Sequence, residues 1–81
     1  MRRETYAIVD IYVPVKRRAT LVPGTVDEIA ASILEVGQRT PILVRQDGAR
    51  LVLVEGLHRL EACKALGETT ISGYLVQARK L

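Results

Sequence analysis

The stretch Leu51-Val52-Leu53-Val54-Glu55-Gly56-Leu57-His58-Arg59-Leu60-Glu61-Ala62-Cys63 constrains the fold more than any other part of the chain. An apolar run of strand character passes through one glycine into a segment whose apolar residues recur at helical spacing, so a strand and a helix must meet at Gly56. A helix that opens there points its first free backbone N–H groups, and the positive end of its dipole, at whatever lies beside the glycine. His58 and Arg59 stand in the same first turn. The helix end favours negative charge by roughly 0.3–1 kcal/mol, and a hydrogen bond to a charged group adds about 1.5–3 kcal/mol. The junction is therefore a candidate anion site, and phosphate is the anion it suits best.

The rest of the chain must fold around this junction with limited means. Its 81 residues suffice for one small domain spanning 1–81, with a core over about 6–77 and a tail at 78–81. Apolar residues make up 48% of the chain, yet Phe and Trp are absent, so the core must come from Val, Ile, Leu and Ala. The net charge of +3 leans towards an anionic partner. Cys63 is the sole cysteine, which excludes an internal disulfide and a cysteine-based zinc site, and one histidine is too few for a His-based site. No metal centre is expected from these residues. Met1-Arg2-Arg3 does not open a signal peptide, and no apolar run approaches the roughly 18–20 residues of a membrane span, so a cytoplasmic protein in a reducing compartment is expected.

In chain order, the alternating, β-branched segment Tyr6–Val15 reads as a first strand, followed by a basic loop at Lys16-Arg17-Arg18. Thr25-Val26-Asp27-Glu28 fits a capping box, and Val26, Ile29, Ala30, Ile33 and Leu34 then form one apolar stripe on a helix that Gly37 ends. Ile42–Arg45 and Leu51–Val54 flank Gln46-Asp47-Gly48-Ala49 as a hairpin. The second helix runs from about Gly56 to Leu66 with Leu57, Leu60, Cys63 and Leu66 inward, and Ile71–Val76 closes the sheet. The element order is β-α-β-β-α-β, an α+β class with a mixed sheet and two main helices. That order alone suggests a split βαβ sandwich of the ferredoxin-like kind.

Two segments resemble a known family. Gln38-Arg39-Thr40-Pro41-Ile42-Leu43-Val44-Arg45 is similar to the Gln-Pro-Ile-x-Val-Arg segment of ParB-type partition proteins, and Gly56-Leu57-His58-Arg59-Leu60-Glu61-Ala62 fits their G-x-x-R-x-x-A motif. Gly-x-His-Arg also resembles the motif of sulfiredoxins, which share the fold, and residues 68–77 resemble the sulfiredoxin terminal strand. The resemblance, spanning about Ile8 to Gln77, implies a small ParB/sulfiredoxin-like domain. In that superfamily the glycine–helix junction holds nucleotide phosphates: CTP in ParB, ATP in sulfiredoxin, ATP or ADP in a related free-serine kinase. By resemblance Gly56, His58 and Arg59 inherit phosphate contacts, and the ligand expected is a nucleoside triphosphate, ATP or CTP, with Mg²⁺.

The departures are as informative. Leu57 stands where sulfiredoxins carry their catalytic cysteine, and Cys63 lies almost two helical turns further on, on the apolar stripe, so sulfinic-acid repair is not expected. Leu57 and His58 replace the acidic residue and first arginine of the ParB motif, which leaves the base preference open. These residues leave no room for a helix-turn-helix domain, so centromere reading by this stretch alone is not expected.

The candidate residues also have ordinary readings. Arg59 can pair with Glu55 or Glu61, and His58 can be a solvated helix residue, a donor to an anion or a general acid/base. Among Lys16, Arg17 and Arg18, Arg18 is the cation chosen to reach the anion, since the family folds this loop towards the phosphates. Glu28 belongs to its capping box or serves as a base, Ser32 one turn on along the same face is a further candidate for phosphate contact, and Glu55 can hold Mg²⁺, activate a hydroxyl or neutralise Arg59. The expected function is a nucleotide-binding module acting as a switch or docking unit in plasmid or chromosome maintenance or DNA-related regulation. The alternatives are a small Mg²⁺-dependent phosphotransferase or nucleoside triphosphatase with Glu28 or Glu55 as base, and a nonspecific DNA-binding or nuclease-like protein. Expected partners are a nucleotide and either a DNA-binding protein or DNA itself. The oligomeric state is open.

Overall fold

Two apolar runs joined by a glycine turn set the centre of the sheet. In the computed structural model, which describes residues 3–37 and 40–76, strand β3 (Ile42–Asp47) and strand β4 (Arg50–Glu55) pair antiparallel with Asp47 opposite Arg50. Gly48 takes φ +61 at the first central position of the two-residue turn, the place where a II′ hairpin turn requires glycine. A bulge between Leu43 and Val44 shifts the register, so that Leu43 stands opposite Glu55 at the end of the ladder. Strand β5 (Thr70–Val76) lies parallel to β3 on the other side.

The expected first strand is not one strand. It divides into β1 (Arg3–Ala7) and β2 (Ile11–Tyr12), separated by a 3-10 turn at Ile8–Asp10. β1 joins β5 antiparallel and β2 joins β4 parallel, giving the sheet order β1-β5-β3-β4-β2. One segment thus supplies both edges of the sheet. The cause is visible in the spacing of the core residues: Ile8 and Ile11 are both buried but three residues apart, which strand alternation cannot satisfy and a turn can. The Ile8 amide donates to the Thr69 carbonyl at 3.0 Å, which anchors the turn at the foot of β5. This five-stranded mixed order also replaces the ferredoxin-like arrangement that the element order suggested.

The expected basic loop forms a single helical turn, α1 (Val15–Arg18), capped by Pro14. Helix α2 (Pro23–Val36) begins two residues before the expected capping box. Its N-cap is Val22, whose own side chain makes no capping hydrogen bond, and Thr25 and Glu28 lie within the helix. Proline at N1 explains the early start, because its φ is already helical and its missing N–H costs nothing there. The expected apolar stripe is only partly covered: Val26, Ile29, Ala30 and Ile33 are half-buried, whereas Leu34 is 75% exposed. α2 contains no buried residue because it rests mainly on α3 (Leu57–Ala65) rather than on the sheet.

α3 is the helix that covers the sheet. Its Leu57, Leu60 and Cys63 meet Ile42, Val44, Leu53 and Ile71, joined by Ile8, Ile11 and Val13 from the first segment. Leu60 and Val44 are wholly excluded from solvent. Val52 is buried outside this cluster, on the opposite face of β4 by strand alternation. No helix among the described residues is long and apolar enough to cross a membrane.

Candidate anion site at the glycine junction

β4 ends at Glu55 and α3 begins at Leu57, leaving Gly56 alone to make the turn with φ 107 and ψ 29. Only glycine enters this left-handed region without strain. A side chain is also excluded by space, since a Cβ here would stand 2.6 Å from Cγ2 of Ile42. With no side-chain cap on α3, the amides of its first turn have no intrahelical acceptor, and the ladder starts with the Leu60 amide on the Gly56 carbonyl at 2.9 Å. The sequence therefore builds an uncapped helix start because nothing but glycine fits beside Ile42.

This helix start borders a cavity of about 330 Å³. Glu55, Gly56, His58 and Arg59 line it from the junction, Thr40, Pro41 and Leu43 from the entry into β3, and Ile29 from α2. The cavity sits at the small end of the range of ligand pockets. Its lining combines an apolar wall with one guanidinium, one imidazole and one carboxylate.

Arg59 is half-buried and makes no ion pair with Glu55, Glu61 or any other described residue. Glu61 is engaged elsewhere, with the Lys64 ammonium 3.1 Å from its carboxylate. The ordinary reading of Arg59 as half of a surface salt bridge therefore does not hold among the described residues. His58 lines the same cavity but in an unexpected role: its Nε2 accepts a 2.9 Å hydrogen bond from the Val22 amide. That nitrogen carries no proton, so it is not a donor to an anion, and the ring's available donor is Nδ1–H.

The other expected residues are dispersed. Arg18 lines a separate cavity with Val13, Leu21, Leu57, Glu61 and Lys64. Glu28 and Ser32 are exposed on α2, one turn apart, and neither lines the junction cavity, whose α2 contribution is Ile29. Of the two expected carboxylates only Glu55 reaches it. Pro41 and Leu43 were legible as part of the resembling segment, but their place in the wall was not. Gln38 and Arg39 from that segment, and the tail from Gln77 onwards, lie outside the described residues.

Neither thiol-dependent position offers a nucleophile at the junction. Leu57 turns into the core, and Cys63 is buried. Burial, and after it the Glu68 carboxylate, push the Cys63 thiol above its ordinary range, and Arg59 offsets this only in part.

Comparison with known proteins fits this geometry. The chain is 36% identical over 62 residues to a probable chromosome-partitioning protein ParB of Campylobacter jejuni, covering 76% of this chain and 22% of that relative. It thus spans about a fifth of the relative's length. The sulfiredoxin of Arabidopsis thaliana superposes with a TM-score of 0.86 at 26% identity, covering 96% of this chain and 88% of that one. A C-terminally truncated chromosome-partitioning protein ParB of Caulobacter crescentus, complexed with CTP-γ-S, superposes with a TM-score of 0.83 at 23% identity, covering 99% of this chain and 47% of that one. The sequence profile of the ParB N-terminal domain matches residues 5–80, nearly the whole chain, and the chain belongs to that family.

Proposed function

We propose that this chain is a nucleotide-binding module that holds the phosphates of a nucleoside triphosphate at the Gly56–Arg59 junction. The observation that carries this reading is Arg59, half-buried, without an ion-pair partner among the described residues, and lining the same cavity as an uncapped helix start. Backbone amides of the first turn supply directional donors, and the guanidinium supplies charge and a planar fork suited to phosphate oxygens. The CTP-γ-S complex of the Caulobacter protein supports a nucleotide as the ligand class, with CTP and ATP as the first candidates. Glu55 is the carboxylate through which Mg²⁺ would meet the phosphates, since this ion is commonly shared between one or two carboxylates and a bound phosphate chain.

The proposed role is a switch or docking unit in chromosome or plasmid partition, working with a DNA-binding segment or partner. The test is calorimetric titration of CTP, ATP, GTP and inorganic pyrophosphate, with and without Mg²⁺, into the wild type and Arg59→Ala. Binding in the wild type that weakens by tenfold or more in the variant is the expected result; equal affinity in both removes the reading.

Glu55 favours a second reading, a Mg²⁺-dependent phosphotransferase or nucleoside triphosphatase, because it is the carboxylate that lines the cavity. Glu28, the other expected base, stands away from it on α2. Phosphate release or transfer from ATP with Mg²⁺ across a panel of small alcohols, abolished in Glu55→Gln, is the expected signature of that activity. No turnover with any acceptor removes it while leaving the binding module intact.

A further inference from the structure

The hydrogen bond from the Val22 amide to His58 Nε2 joins residues 36 apart in sequence and ties the N-cap of α2 to the first turn of α3. Beside it, that end of α2 is held by half-buried side chains resting on α3. The helix contains no buried residue, the side chain of its N-cap makes no capping hydrogen bond, and Val22 itself is 53% exposed. Ile29, two turns into the helix, is nonetheless a wall of the junction cavity. The placement of that wall depends on how α2 is held.

We infer that His58 is a positioning residue, which latches the N-terminal end of α2 to the glycine junction and thereby holds the Ile29 wall of the cavity. The inference rests on the junction being the phosphate site, but its central claim concerns the protein without ligand. Two features of the geometry favour positioning over direct contact with an anion. Nε2 is already committed as an acceptor, so of the two ring nitrogens only Nδ1–H remains to meet an anion, and the ring orientation is set by the Val22 amide. The amide it accepts from is one of the orphan donors of a helix start, which must find a partner or water, and no side chain nearer in sequence supplies one.

The test is amide hydrogen exchange followed residue by residue in the wild type, His58→Leu and His58→Gln, first without ligand and then with titration of inorganic pyrophosphate. Leucine keeps the bulk and removes the acceptor; the glutamine amide oxygen reaches about as far as Nε2 and retains one. Expected without ligand is exchange at Val22 about tenfold or more faster in His58→Leu, with smaller increases at Thr25 and Val26, whose amides bond to the Val22 carbonyl, and recovery of most of the protection in His58→Gln. With pyrophosphate, affinity falls several-fold in His58→Leu and recovers in His58→Gln.

Unchanged exchange at Val22 in His58→Leu overturns the latch. Protection restored in His58→Gln without recovery of pyrophosphate affinity overturns the positioning role and makes His58 a direct anion contact. If the wild type binds no pyrophosphate, the phosphate reading fails, while the exchange comparison still decides the latch.

Discussion

Gly56 and Gly48 both adopt positive φ, but they do so under different constraints, which makes them a controlled pair. A Cβ at Gly48 meets nothing within 4 Å, so Gly48→Ala should cost only the conformational penalty of about 1–2 kcal/mol. At Gly56 the same penalty is joined by overlap with Ile42, and Gly56→Ala should cost about 2–4 kcal/mol and displace Ile42 or the start of α3. Urea midpoints of the two variants check the difference. Cys63 gives a second prediction at this scale. Its thiol pKa is raised in the folded protein, so the folded state holds the proton more tightly than the unfolded one. The resulting stabilisation is complete below the unfolded value of 9.0 and disappears as pH rises through the higher folded value. The wild type should therefore lose more stability than Cys63→Ala between neutral pH and strongly alkaline pH, read from urea midpoints. Tyr6 shifts the same way, pushed up by burial and then by Glu4, and acts equally in both proteins, so the difference between them isolates Cys63.

Among the elements, α2 and α3 have similar apolar patterns on paper and opposite fates. α3 inserts Leu57, Leu60 and Cys63 into the sheet, whereas α2 lies mainly on α3 and leaves Leu34 largely in solvent. The periodicity of α2 marked it as a helix and marked which residues share a face; it carried no information about the depth to which that face is covered. Substitution should read out the difference. Leu34→Gln should change stability by no more than about 0.5 kcal/mol, as a surface change does, while Ile33→Ala, which packs against the core, should cost roughly 1–2 kcal/mol. Chemical denaturation of the two variants is the measurement. The start of α2 shows the limit of local rules. Thr25 and Glu28 satisfy the spacing of a capping box, but Pro23 and the imidazole of His58 set the boundary at Val22 instead.

The whole molecule depends on one aliphatic core shared by α3, the centre of the sheet and the first segment. Stabilities near 0.05–0.15 kcal/mol per residue leave a chain of this size with little reserve. Leu60 sits at the centre of the cluster with no exposed surface, and Leu60→Ala should cost about 2–5 kcal/mol, enough to broaden or abolish the cooperative thermal transition seen by circular dichroism. The sequence by itself determined the strand–glycine–helix junction, the hairpin, the closing strand and the family, because turn chemistry, glycine conformation and side-chain periodicity act over a few residues. Only the tertiary structure decided that the first segment supplies both edges of the sheet, that Nε2 of His58 is an acceptor, and that Glu55 rather than Glu28 faces the cavity. Each of these turns on a partner distant in the chain: Leu51 beside Ile11, Val22 beside His58, and Ile29 rather than Glu28 on the cavity side of α2. Such pairings are set by how elements pack once formed, and local patterning does not encode them.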